Sequence, residues 1–243
     1  MALKEAVDKP QAESLAHTMR TGRRAGIPPL ENGDRLTRRE FERRYENMPH
    51  VIKVELVEGI VHMPSPVRYD THGRPHMLVN TWLGVYVAAT PGVGAADNST
   101  VCLDAENEVQ PDALLRLEQG GRSHLAENGF VEGSPELVVE IAGTSAAYDL
   151  HDKLRAYRRN EVQEYAVYQV LDEKVDWFEL LEGEYVSLPA DDRGVVDSRV
   201  FPGLRLAVPA LLAGDLAAVL AELQKGLASA EYLAFAERLS NKP

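Results

Sequence analysis

Three residues in the middle of the chain have types and spacing suited to metal-assisted chemistry: Asp112, Glu140 and Lys153. Asp112 opens the apolar run Gln110-Pro111-Asp112-Ala113-Leu114-Leu115. Glu140 lies inside Pro135-Glu136-Leu137-Val138-Val139-Glu140-Ile141-Ala142. Lys153 follows in Asp149-Leu150-His151-Asp152-Lys153, with Tyr157 one helical turn further on. Apolar runs of this length, bounded by turn residues, read as buried strands. An ionised carboxylate in such a strand is costly unless it is paired or binds a cation. Glu140, between Val139 and Ile141, is therefore the most informative residue. On neighbouring strands, Asp112 and Glu140 would set two carboxylates at one sheet edge. Hard oxygen ligands of this kind suit Mg²⁺ or Mn²⁺. Such ions hold a phosphodiester and lower the pKa of a bound water. Lys153, beyond the Gly143-Thr144-Ser145 turn and on the first turns of a helix, would point back to that edge. There it would orient the water or stabilise charge developing on phosphate.

Each residue also has an ordinary alternative. Asp112 suits a solvated strand start after proline, and Glu140 a solvent-facing strand position. Lys153 lies four residues after Asp149, the spacing of a helix-surface ion pair. Asp149 itself suits either the lysine's partner or a helix N-terminal acid. His62 and His151 lack a second histidine at metal spacing, which assigns them to surface or packing roles. Tyr157, Tyr165, Trp82 and Trp177 read as core. Ser145 has no Gly-x-Ser-x-Gly context, and no phosphate-cradling glycine loop occurs.

These residues need a scaffold, and the flanking pattern supplies one. Residues 1–34 are polar and read as a flexible arm, in which Arg20, Arg23 and Arg24 suit solvent or phosphate. Thr37-Arg38-Arg39-Glu40 resembles a capping box, so a helix starts there, with Phe41 and Tyr45 on one side. Val51 to Met63 alternates as a hairpin, with Ile52, Val54 and Leu56 on one face, Lys53 and Glu55 on the other, and Glu58-Gly59 at the turn. Pro64 to Pro75 reads as a loop. His76 to Thr90 reads as a helix ended by Pro91-Gly92. Short strands are expected at Val101–Leu103 and Ala113–Leu115. A surface loop is expected over Gly120–Gly133, and a central strand over Leu137–Ala142. A helix is expected over Asp149–Arg159. A second hairpin pairs Tyr165–Leu171 with Val175–Leu180, and Glu184–Leu188 adds a strand. From Pro209 the chain is helical, with Leu216, Val219, Leu220 and Leu223 in one stripe, and the tail Ala228 to Leu239 continues the pattern, which suits docking or a homodimer. The simplest organisation is an α/β domain over residues 35–211 and a C-terminal helical extension over 212–243.

Composition narrows the function classes. The 243 residues carry a net charge of -12, against a broad basic surface for nucleic acid. A nucleic-acid enzyme remains open, because bound divalent cations neutralise acids at a cleft. Cys102 is the single cysteine, so neither an intramolecular disulfide nor a cysteine-rich zinc site is available. No apolar run approaches membrane-spanning length and no signal-peptide core is evident, so a cytoplasmic location with no membrane partner is expected.

With these motifs in order, the chain resembles the Uma2 family of the PD-(D/E)XK, restriction-endonuclease-like superfamily. The resemblance rests on Pro111-Asp112, Pro135 to Glu140, Asp149 with Lys153 and Tyr157, and Glu164-Tyr165. Val54 to Gly59 and His76 add to it, and it spans roughly Leu36 to Leu211. It implies a mixed β-sheet flanked by helices, with Asp112 and Glu140 as metal ligands and Lys153 as the catalytic lysine. Glu55 is the implied extra acid. The implied activity is Mg²⁺- or Mn²⁺-dependent hydrolysis of phosphodiester bonds in DNA. Three positions depart from the pattern. Ala142 stands where the superfamily has its usual lysine, Gly143 where a serine is common, and Glu161 where a glycine ends the helix, with Asn160 available as the left-handed terminator. A nuclease fold turned non-catalytic binding or assembly module is the alternative, and hydrolysis of another phosphoester is a third.

Overall fold

A computed structural model describes residues 26–51, 53–64, 66–143 and 145–241, so Arg20, Arg23, Arg24, Ile52 and Thr144 lie outside the described residues. Within 26–34, Leu30 is buried, and Gly33 and Asp34 bond to Val61. Helix α1 (Arg38–Tyr45) starts at Thr37, whose hydroxyl accepts the Glu40 N–H at 3.5 Å. Only half of a capping box forms, because the Glu40 carboxylate turns to Arg43 and Arg44, each at 2.7 Å. The hairpin β1 (Glu55–Val57) and β2 (Ile60–His62) turns through Glu58 and Gly59, both at positive φ as a two-residue turn requires.

The expected loop before the next helix is partly wound. A π-helical turn (Tyr69–Gly73) runs straight into α2 (Arg74–Ala89), with Pro75 in the first turn, where a missing N–H costs nothing. Strands β3 (Val93–Asp97), β4 (Val101–Cys102), β5 (Glu108–Val109) and β6 (Ala113–Leu117) come after it. Gly120–Gly133 is not only a surface loop, since it holds β7 (Ser123–Leu125) and β8 (Val131–Gly133). Strand β9 (Leu137–Ala142) has the expected bounds. The next helix begins earlier than expected, as α3 (Ala146–Tyr148), a π-turn (Asp149–Lys153) and α4 (Leu154–Arg159). Asn160 keeps a right-handed φ of -89°, and Glu161, at φ 59°, takes the left-handed position instead. Strands β10 (Glu164–Gln169), β11 (Lys174–Leu181) and β12 (Glu184–Ser187) come next. Then come the short pair β13 (Val195–Asp197) and β14 (Arg205–Ala207). The C-terminal helical stretch is broken into α5 (Val208–Leu212), α6 (Leu216–Leu227) and α7 (Ala230–Ser240).

Two mixed six-stranded sheets result. Sheet 1 runs β2-β1-β5-β4-β8-β7 and sheet 2 runs β12-β11-β10-β9-β6-β3. In sheet 2, β9 pairs in parallel with β10 and antiparallel with β6. All six β9 residues are buried, because both faces of the strand are covered. Leu137, Val139 and Ile141 pack with α2 and the C-terminal helices, through Trp82, Leu83, Val219, Leu223 and Phe235. Val138 and Ala142 pack on the other side with Tyr157 and with the sheet 1 residues Val57, Val101 and Val131. Glu140 shares the parity of Val138 and Ala142, so it points between the two sheets. The apolar stripe of α6 docks on the chain's own core, where Val219 and Leu223 are fully buried. Trp82 and Trp177 meet edge-to-face at 6.0 Å in that same core.

Glu164 and Glu136 have structural roles. The Glu164 carboxylate, fully buried, accepts from Trp177 Nε1 at 3.2 Å, Ser198 Oγ at 2.8 Å and the N–H groups of Arg199 and Val200. It is the point on which the 198–201 turn is fastened to sheet 2. Glu164→Ala strands those donors, so chemical denaturation should show a loss of about 3 kcal/mol or more. Glu136 likewise accepts from the Leu117 and Arg122 N–H groups at 2.7 and 3.0 Å.

Candidate active site

Extending the β6–β9 register by one residue places Asp112 directly across from Glu140, on the same face. Asp112 is anchored there by its Oδ2, which accepts the Ile141 N–H at 2.8 Å. Sheet 1 supplies Glu55, whose Oε1 accepts the Gln110 N–H at 2.8 Å. The α3–α4 segment supplies Lys153. Its Nζ lies 2.9 Å from Glu140 Oε1 and 2.9 Å from Glu55 Oε1. Asp149, the competing surface partner, is at 4.0 Å and itself buried. Lys153 is thus an internal ammonium that clamps the two sheets together through their carboxylates. Tyr157 is more than core filling, because its hydroxyl donates to Glu140 Oε1 at 2.9 Å.

Four carboxyls (Glu55, Asp112, Glu140 and Asp149) are buried around one buried ammonium. Burial pushes the Glu140 carboxyl up to about 8, against the pull of Lys153 and with the help of Asp112, Asp149 and Glu55. Burial works against the Lys153 ammonium, but Glu140, Glu55 and Asp149 outweigh it and hold the lysine charged well above its ordinary range. Asp149 is also raised, chiefly by burial, although Lys153 and the Ser145 hydroxyl at 2.6 Å favour its ionised form.

Sequence reasoning missed His72. It sits in the π-turn before α2, and its Nδ1 is 3.2 Å from the Ile141 carbonyl. A carbonyl only accepts, so that nitrogen carries the proton. Nε2 then faces Asp112 Oδ1 at 3.5 Å with its lone pair, or as a donor when the ring is charged. A ring held at one nitrogen by a backbone carbonyl, with the other turned to a carboxylate, is how a metal-ligating histidine is oriented. The close approach of the turn needs Gly143. A Cβ there would stand 3.0 Å from the Thr71 carbonyl oxygen, a tight contact that glycine avoids. His76 braces the same corner, with Nε2 2.6 Å from the Asp112 carbonyl and 2.8 Å from Asp97 Oδ1. Lys53, partly exposed, reaches Asp112 Oδ1 at 3.4 Å. The signal that could have found it is the four-residue spacing of His72 and His76, whose rings lie 5.3 Å apart. His151 is exposed, and His62 stacks on Tyr148 at 4.3 Å, so neither approaches as a ligand pair.

The donor set suits a divalent cation. Buried negative charge exceeds buried positive charge, and Asp112, Glu140, Glu55 and His72 Nε2 offer oxygen and imidazole ligands of the right hardness. A family model described as "putative restriction endonuclease" matches residues 38–209. The chain belongs to the Uma2 family. The core strands, the helix carrying Lys153 and the hairpin carrying Glu55 all fall inside the matched span. A crystal structure described as "a putative nuclease belonging to DUF820", from Anabaena variabilis, is similar in fold, with a TM-score of 0.57 at 15% identity. The likeness covers 74% of this chain and 98% of that one. No curated protein matches the sequence. Among the described residues, no Uma2 helix here is long and apolar enough to cross a membrane.

Proposed function

We propose that this Uma2 protein is an endonuclease that hydrolyses phosphodiester bonds in DNA with the help of Mg²⁺ or Mn²⁺. The observation that carries the reading is Lys153, buried between Glu140 and Glu55 with Asp112 across the strand. A buried lysine among four carboxyls is costly as mere scaffolding, and metal-dependent phosphodiester hydrolysis gives every member a task. Asp112 and Glu140 would hold the cation, with Glu55 and His72 completing its protein ligands. The cation supplies Lewis acidity and a water of lowered pKa. Lys153 donates to Glu140 and forms an ion pair with Glu55, with Asp149 at 4.0 Å. Its fixed positive charge would stabilise the attacking water or a scissile phosphate oxygen. Tyr157 holds Glu140 in one rotamer, and the His72–Ile141 bond holds the imidazole plane. Lys53, at the partly exposed side of Asp112, offers a first contact for the phosphate backbone.

The net charge of -12 favours one other reading, a nuclease fold kept as a binding or assembly module. Incubation with plasmid and single-stranded DNA separates the two. Cleavage should require Mg²⁺ or Mn²⁺ and stop with a chelator. His72→Ala should slow it by about 10- to 100-fold, the usual effect of losing a metal-site partner. Absence of cleavage together with absence of a calorimetric metal signal would leave the binding module as the better account.

A further inference from the structure

On sheet 1, the face opposite Glu55 carries a second set of ligand-type side chains. Glu108 of β5 stands directly across from Cys102 of β4, Cys102 across from Glu132 of β8, and Glu132 across from His124 of β7. Directly paired residues share a face, so these four form one row across the sheet. Leu56 of β1 and Val61 of β2 continue the row, and Leu56 packs with Phe41, so α1 covers this face. From α1, Glu42 reaches down to the row. One ligand atom each from Glu42, Cys102 and Glu108 lies within 4.8 Å of the other two.

Glu108 is the telling residue. It is 3% exposed, and its Oε2 has no hydrogen-bond partner. A buried carboxylate oxygen left unpaired costs free energy that a fold normally recovers with a donor or a cation. The group that faces it is the Glu42 carboxyl, a second acid rather than a base. Burial, together with Glu42, pushes the Glu108 carboxyl up to about 8. Arg38 is the nearby positive charge, but it pairs with Glu42 and leaves Glu108 Oε2 without a donor.

We propose that Glu42, Cys102 and Glu108 form a site for a borderline-soft divalent ion of the Zn²⁺ type, separate from the Glu140 centre. A thiol beside two carboxylates is a poor match for Mg²⁺ and a good one for Zn²⁺ or Co²⁺. Three protein ligands leave a fourth position for water or for Glu132, next in the row. Binding displaces the Cys102 thiol proton and the proton on Glu108, both of which pass to solvent. The Arg38 guanidinium lies 3.3 Å from Glu42 Oε1 and 4.0 Å from Glu132 Oε1, so the ion would share these carboxylates with it. The ion would pin α1 to sheet 1, a structural rather than a catalytic task.

The test uses the full chain, stripped with a chelator and titrated with Co²⁺. With excess Mg²⁺ present to occupy the Glu140 centre, a thiolate-to-cobalt charge-transfer band should appear and saturate at one equivalent. Cys102→Ser should lose the band, while Asp112→Asn should keep it. Glu42→Gln, on the partly exposed helix, should weaken Co²⁺ binding at least tenfold while the far-UV circular dichroism stays the same. A wild-type protein with no band overturns the proposal, and a proton shared by Glu42 and Glu108 is then what bridges them. A band that survives Cys102→Ser overturns it equally. Neither readout depends on nuclease activity.

Discussion

Lys153→Met is expected to abolish DNA cleavage and to remove about 3–5 kcal/mol of folding stability at pH 8, the cost of breaking a buried ion pair from one side. Methionine roughly fills the volume, so packing is not the main loss. What is lost is the only buried cation within 2.9 Å of both Glu140 and Glu55 among the described residues. Without it those carboxyls escape the penalty only by taking up protons. The destabilisation should therefore shrink near pH 5 and grow toward pH 8, because the native state now binds protons that the unfolded chain has already released. Urea unfolding of both proteins at the two pH values measures this. A deficit equal at both pH values would mean the lysine is not the counter-ion of those acids.

Glu140→Gln should separate stability from activity. In the native state burial raises the Glu140 carboxyl to about 8, from an ordinary 4.5. Between those values the native state holds a proton that the unfolded state has lost, so stability falls as pH rises through the window. Glutamine keeps an oxygen to accept from Lys153 and Tyr157 and has no charge to bury. The metal-free variant should thus be more stable than the wild type at pH 8 and flatter in its pH profile. Cleavage should drop by about 10³-fold or more, in the range seen when a principal electrostatic group is removed from an active site. Mg²⁺ or Mn²⁺ should raise the wild-type melting temperature and leave the variant's almost unmoved, since only binding to the native state stabilises. Unimpaired cleavage by the variant would remove Glu140 from the centre altogether.

Much of this centre is legible before folding. Glu140 betrays itself because an acid inside Leu-Val-Val-x-Ile-Ala has no comfortable solvent-facing alternative, and the strand is buried on both faces. Asp112 and Lys153 can be read from the turn chemistry around them. Glu55 is legible only through the family pattern, since Lys53-Val54-Glu55-Leu56 alternates like any half-exposed hairpin. Only a second sheet laid over the first explains why its acidic face is buried. The misses share a cause. Strands β7, β8, β13 and β14 are three residues long, too short for a period to register, and Val93-Gly94-Ala95-Ala96-Asp97 has little intrinsic strand preference. The docking of α6 onto the chain's own core is invisible in the sequence because an apolar stripe says that it must be covered, without saying by what. His72 is signalled only by its four-residue spacing from His76, and its approach to Asp112 depends on a backbone turn that this spacing does not encode.

The π-turn at Asp149–Lys153 makes the centre sensitive to chain length as well as to side-chain identity. Such a turn spans one residue more than an α-helical turn, and each residue added to or taken from a helix swings the downstream side chains by about 100°. Lys153 and Tyr157 meet the same oxygen of Glu140 because Lys153 ends that turn and Tyr157, four residues on in α4, lies on the same side. In a library of single-codon deletions and duplications, the run from Gly143 to Lys153 should therefore tolerate almost none. The distant hairpin tip at Asp172-Glu173, with the same exposure to solvent as any surface turn, should absorb them freely.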